Sequence, residues 1–193
     1  MNKTILITGA SSGIGRATAK LFQEKEFQDF LGSCRAYCEL LETNDKNDSN
    51  YLVELQKLLL ELYTNGINLQ TIDLDSNIDF EEKLDNKEFE NIKNRTSKLL
   101  GENQCYWTIF DPTENVFGNE SPVMGDLLDD VMDIYKDIKY QLMIFDLNTE
   151  ESIENAMWGM KFDFRHHWSN HAIDAIRTIH YVIEKIYSFN KIL

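Results

Sequence analysis

The chain has 193 residues, enough for one well-buried core and short for two, and its 42% hydrophobic and 11% aromatic content describes a folded globule rather than an acidic tail. Its net charge of −14 repels phosphate backbones and anionic lipid, which excludes nucleic acid and membrane surfaces as partners and favours a basic protein surface. No apolar run approaches the roughly 18 residues of a membrane span, and the apolar opening is shorter than a signal-peptide core, so a cytoplasmic protein is expected.

The first element is an apolar strand from Lys3 running into a glycine-rich turn at Thr8-Gly9-Ala-Ser-Ser-Gly13-Ile-Gly15. A strand, a tight glycine turn and a helix start place backbone N–H groups against a pyrophosphate. This turn resembles the cofactor loop of the short-chain dehydrogenase/reductase family. That resemblance implies an NAD(P) site at Gly9, Ser11, Ser12, Gly13, Ile14 and Gly15. The family's catalytic Ser and Tyr-x-x-x-Lys set has a counterpart in Ser121, Tyr135 and Lys139, in which the lysine would lower the tyrosine's pKa for acid–base work. The remainder of the chain does not continue the pattern. Buried parallel strands are Val- and Ile-rich runs, and the whole chain has five valines. Residues 1–25 are therefore expected to form a dehydrogenase-like leader that is not integrated into a sheet, followed by a helical domain over residues 26–193. On that reading Tyr135 joins an apolar stripe and Lys139 a solvated face.

Phe27, Phe30, Leu31, Cys34, Cys38 and Leu41 recur at helical spacing and predict an amphipathic helix. Cys34 and Cys38 lie one turn apart on its apolar face. With Cys105 they make an odd number, and they read as small core residues rather than a disulfide or zinc site. Residues 42–50 are a polar loop. Leu52, Leu55, Leu58, Leu59 and Leu62 form the stripe of a second helix over 51–63, for which Thr64-Asn-Gly66 reads as a stop. Residues 67–86 read as an acidic linker with a short helical turn. A third helix is predicted from Asn86 to Leu100, stopped by Gly101. The aromatic segment from Cys105, broken by Pro112 and Gly118, reads as extended chain and turns.

Asp126 and Asp129 form a capping pair that opens a helix to about Phe145, striped by Leu127, Leu128, Val131, Ile134, Tyr135, Ile138 and Leu142. The last helical region starts near Asn148 or Thr149 and keeps its periodicity for nearly forty residues, with a bend expected at Lys161–Arg165. The blocks Phe30–Glu42, Tyr106–Pro112, Pro122–Lys139 and His167–Arg177 resemble a bacterial family known only as domain of unknown function 5063, over the chain from about Glu26 onward. The resemblance implies a compact, mostly helical protein and supplies no catalytic set.

The expected fold is therefore an all-α bundle of about five helices with a short extended segment at 105–111. The leading functional reading is a binding or interaction module without catalysis and without a resident cofactor. An alternative is a metal site. All four histidines, His166, His167, His171 and His180, lie in the last helical region, and His167 and His171 stand one turn apart with Asp163 a turn earlier. The aspartates of the preceding helix, Asp126, Asp129, Asp130, Asp133 and Asp137, can face them, giving His167, His171, Asp130 and Asp133 as the candidate ligands of a divalent ion. The dehydrogenase turn with NAD(P) is the third reading. Trp107, Trp158 and Trp168, with Tyr106 and Phe110, are expected mainly in the core, the alternative being the lining of a pocket or partner groove, and Asp174 with Arg177 as a surface pair, the alternative being a buried Arg177 salt bridge under the acidic helix.

Overall fold

A computed structural model describes residues 25–43, 50–81, 83–109, 112–113, 118 and 121–190. The glycine turn from Gly9 to Gly15 lies outside these residues. The elements are α1 (Lys25–Thr43), α2 (Tyr51–Asn68), α3 (Asn86–Leu100), β1 (Cys105–Thr108), β2 (Val123–Asp126), α4 (Leu127–Asp146), α5 (Glu150–Asp163) and α6 (Ser169–Asn190), with a π-helical turn over Phe164–Trp168 that makes α5 and α6 one continuous rod. The described chain is thus an all-α bundle of five helical rods with one small sheet.

Each rod buries the stripe its sequence lays down. In α1 the positions Phe27, Phe30, Leu31, Cys34, Cys38 and Leu41 are inward, and in α2 Leu55, Leu59 and Leu62 are. Helix α4 packs against α1, α3, α5 and α6 and is the centre of the bundle. Trp168 is fully enclosed, with its ring stacked on Phe30 at 6.3 Å and edge-on to Phe164 at 4.8 Å. Burying side chains of this size is worth about 1.5–3 kcal/mol each.

The helix ends follow local chemistry. Asp85 accepts the Lys87 and Glu88 N–H groups at the start of α3, and Gly101 closes it with a positive φ of 58°. Asp126 accepts the N–H groups of Leu128 and Asp129 and opens α4. Thr149 and Ser152 exchange side-chain and backbone hydrogen bonds in a capping box that opens α5.

Four expectations change. Helix α2 does not stop at Gly66 but runs to Asn68. Gly66 is buried there against the Phe164 ring, which a Cβ would meet at 2.7 Å, so its smallness serves packing rather than termination. The bend expected at Lys161–Arg165 is instead the π turn three residues further along. The extended segment at 105–108 has a partner, β2, in an antiparallel register that sets Tyr106 opposite Gly125 and Trp107 opposite Met124. Among the described residues of 69–85 there is no helical turn. That segment is instead a strap over the bundle. The buried Glu154 carboxylate accepts the N–H groups of Asp75 and Ser76, both at 3.1 Å, and the Tyr140 hydroxyl donates to the Phe80 carbonyl. No helix among the described residues is long and apolar enough to cross a membrane.

Candidate metal centre

Helix α4 presents Asp130, Asp133 and Asp137 at intervals of three and four, one face of a helix. The π turn and the start of α6 present His167 and His171 across from them. Each histidine is fixed from behind by one of these aspartates: His167 Nδ1 lies 2.7 Å from Asp137 Oδ2, and His171 Nδ1 lies 2.7 Å from Asp130 Oδ1. With Nδ1 engaged, Nε2 is the nitrogen left to bind. His171 Nε2 lies 3.8 Å from Asp133 Oδ2, and one ligand atom from each of Asp133, His167 and His171 falls within 4.8 Å of the others. In a tetrahedral shell with metal–ligand bonds of about 2.0–2.2 Å, neighbouring ligand atoms stand roughly 3.3 Å apart. The cluster therefore needs to contract by up to about 1.5 Å to close on an ion, a movement that falls on the half-exposed His167 side chain together with its Asp137 support.

Supporting groups surround this face. The Asp130 carboxylate is almost wholly buried, and its second oxygen accepts the Tyr106 hydroxyl at 2.6 Å. The hydrogen bond that Asp130 accepts, and the charges of Asp130, Asp133 and Asp129, outweigh partial burial and raise the His171 imidazole above its ordinary value. Burial, then the Asp130 hydrogen bond and charge, raises the Tyr106 hydroxyl well above its ordinary range. Tyr106 is therefore a fixed donor rather than a phenolate. Asp163, the last residue of α5, accepts the Gln141 side-chain amide at 2.8 Å. Burial raises its carboxyl to about 6 against the opposing Gln141 bond, with Asp137 adding to the rise. Gly159 leaves room for that Gln141 amide, which a Cβ would meet.

The other predicted residues lie elsewhere. Tyr135 and Lys139 point toward the end of α1, where the Tyr135 hydroxyl at 3.0 Å and Lys139 Nζ at 2.6 Å both donate to Glu42 Oε1. Burial and Glu42 push the Tyr135 hydroxyl upward, the opposite direction to that of an acid–base tyrosine. A cavity of about 250 Å³ beside them is lined by Lys83, Phe89 and Met143 among others. Ser121 is exposed just ahead of β2. His166 stacks on Phe162, and His180 is exposed on α6. Trp168 is core, Trp158 stacks half-buried on Phe162, and Trp107 is 72% exposed, contrary to the core position expected for it. Arg177 pairs with Asp174 at 3.4 Å on the surface, as its spacing predicts. The thiols of Cys34 and Cys38 are buried, which pushes Cys38 up to about 12 and makes both poor nucleophiles.

The structure brings Asp133, His167 and His171 together, but Asp130, expected as a fourth ligand, stands behind His171 on its Nδ1 and outside that group, because its carboxylate is taken up by His171 and Tyr106. Sequence spacing does not foresee Tyr106 as the partner of Asp130. The available signal is the strand alternation of β1, which turns Tyr106 inward while Trp107 faces out.

The family described as domain of unknown function (DUF5063) matches residues 22–185. The chain belongs to that family. The DUF5063 match covers every residue of the His/Asp cluster and leaves the glycine turn outside it. No curated protein matches the chain. Among solved structures, the crystal structure of protein BF1032 from Bacteroides fragilis, a structural-genomics target, is similar with a TM-score of 0.69 and 20% identity, over 84% of this chain and 94% of that one. At that identity the likeness shows that the DUF5063 chain shares its fold.

Proposed function

We propose that this DUF5063 protein binds a divalent transition-metal ion through Asp133, His167 and His171. The observation behind the reading is the pair of 2.7 Å bonds from His167 Nδ1 to Asp137 and from His171 Nδ1 to Asp130. Ligating histidines are typically held by a carboxylate on the far nitrogen, which fixes tautomer and ring direction and is worth about tenfold to a hundredfold in affinity. Two imidazoles and one carboxylate suit zinc or ferrous iron better than magnesium, which prefers an all-oxygen octahedron. Three protein ligands leave a coordination position open to water or a small ligand. The acidic surface that favours a basic protein partner is a property of the whole chain and singles out no residues, so the cluster is the better basis for a function. The NAD(P) reading rests on Gly9–Gly15 and is tested by NADPH fluorescence titration, for which no change is expected.

Isothermal titration calorimetry of the full chain with zinc chloride, and with magnesium chloride as a control, tests the proposal. Zinc should bind with one-to-one stoichiometry and magnesium should give no heat. His171→Ala and Asp133→Asn should abolish the zinc isotherm while His180→Ala keeps it. Protons compete for His171, whose pKa is raised, so affinity should fall steadily as pH is lowered through and below neutrality. An isotherm unchanged in His171→Ala would contradict the proposal.

A further inference from the structure

The Asp130 carboxylate links two elements. One oxygen receives the His171 Nδ1 proton at 2.7 Å and the other receives the Tyr106 hydroxyl at 2.6 Å, with the aspartate almost wholly buried between them. Tyr106 is one of the two inward residues of β1, with Thr108, and its ring lies across Gly125 of β2, where any Cβ would collide with it. Among the described residues the hairpin meets α6 through longer bonds, Thr108 Oγ1 to Asp174 at 3.4 Å and Arg177 to the Trp107 carbonyl at 3.3 Å, while at its base β2 runs directly into α4 and the Leu127 N–H donates to the Gln104 carbonyl at 2.7 Å. A two-stranded ribbon of four-residue strands is marginal on its own, so its order depends on what it is tied to. On its outer side Trp107 and Met124, directly opposed across the strands, are 72% and 68% exposed.

Resting on the metal reading above, we propose that occupancy of the Asp133/His167/His171 site is transmitted through Asp130 and Tyr106 to the β1–β2 hairpin, so that the metal controls how firmly the hairpin and its Trp107/Met124 face are held. A cation on His171 Nε2 fixes the tautomer with its proton on Nδ1 and withdraws density from the ring, which strengthens the donation to Asp130. It also offsets the repulsion among Asp130, Asp133 and Asp137 that otherwise loosens the α4 face. With Asp130 fixed, the acceptor of the Tyr106 hydroxyl is fixed, and the short charge-assisted bond holds β1 down. Linkage makes the coupling reciprocal: loosening the hairpin at Tyr106 must weaken the metal by the same factor.

Hydrogen–deuterium exchange of the full chain, with zinc and with a chelator, tests this alongside calorimetry. Zinc should slow amide exchange in 105–108 and 123–126 by about tenfold, within the usual range of coupling between sites. Tyr106→Phe, which removes only the hydroxyl, should bind zinc about tenfold more weakly and show no zinc-dependent protection of the hairpin even at saturation. Gly125→Ala, which displaces the Tyr106 ring, should reproduce that loss, whereas Thr108→Val should retain the response. If calorimetry shows zinc bound by the wild type while hairpin exchange is the same with and without it, the coupling is overturned and the metal site stands. If no zinc binds, both fail.

Discussion

Asp163 and Asp130 are both acidic side chains beside the histidines, yet their surroundings give them opposite tasks. Asp130 has a hydrogen-bond partner on each oxygen and serves as a support for His171. Asp163 has the Gln141 amide, and its burial raises its carboxyl to about 6. A carboxyl raised in the folded state favours its protonated form there. It therefore weakens the fold at pH above 6, and that penalty disappears as pH falls below the unfolded value near 4. Asp163→Asn keeps an acceptor for Gln141 without the charge. In chelator-containing buffer it should be more stable than wild type by about 1–2 kcal/mol at pH 8, once partial solvent screening is allowed for, with almost no difference at pH 3. Thermal melts at the two pH values check this, and an equal effect at both would reject the assignment. Sequence could name both because Asp163 stands one turn before His167 while Asp130 shares a helix face with Asp133 and Asp137. It could not sort them into support and near-neutral acid, because that depends on donors from α4 and β1 that are distant in sequence.

At the scale of elements, the helices legible in advance are those whose ends carry their own chemistry. Asp85 and Gly101 bound α3, Asp126 opens α4, and Thr149 opens α5, each through groups within three residues of the end. The misread places depend on non-local contacts. Gly66 has the look of a helix stop, but its position is decided by Phe164, nearly a hundred residues away. Strand β2, only Val123–Asp126, has no period long enough to detect and exists through its register with β1. The π turn shifts helical phase between Asp163 and His167, and π turns often mark functional positions in helices. Gly66→Ala separates the two roles of that glycine. As a helix residue, alanine should gain up to about 1 kcal/mol. Against the buried Phe164 ring it should lose about 1–3 kcal/mol by overpacking. Net destabilisation in urea is expected, and a stabilised variant would show that the ring yields easily.

At the scale of the whole molecule, one rod formed by α5, the π turn and α6 lies against α4, and the His/Asp cluster sits at their junction with the hairpin at one end of it. Composition alone makes the chain acidic and globular and singles out no residues. Folding brings α4 and the π turn together so that His167 and His171 meet the face where Asp137 and Asp130 stand behind them. The DUF5063 match spans this arrangement, and the shared fold with the Bacteroides fragilis protein fixes its architecture without assigning it chemistry. The most direct measurement is anomalous diffraction at the zinc edge from crystals grown with zinc. The metal reading predicts a peak about 2 Å from Nε2 of His167 and His171 and from the Asp133 carboxylate. A map with no peak there, or with zinc only at other surface carboxylates, would contradict it.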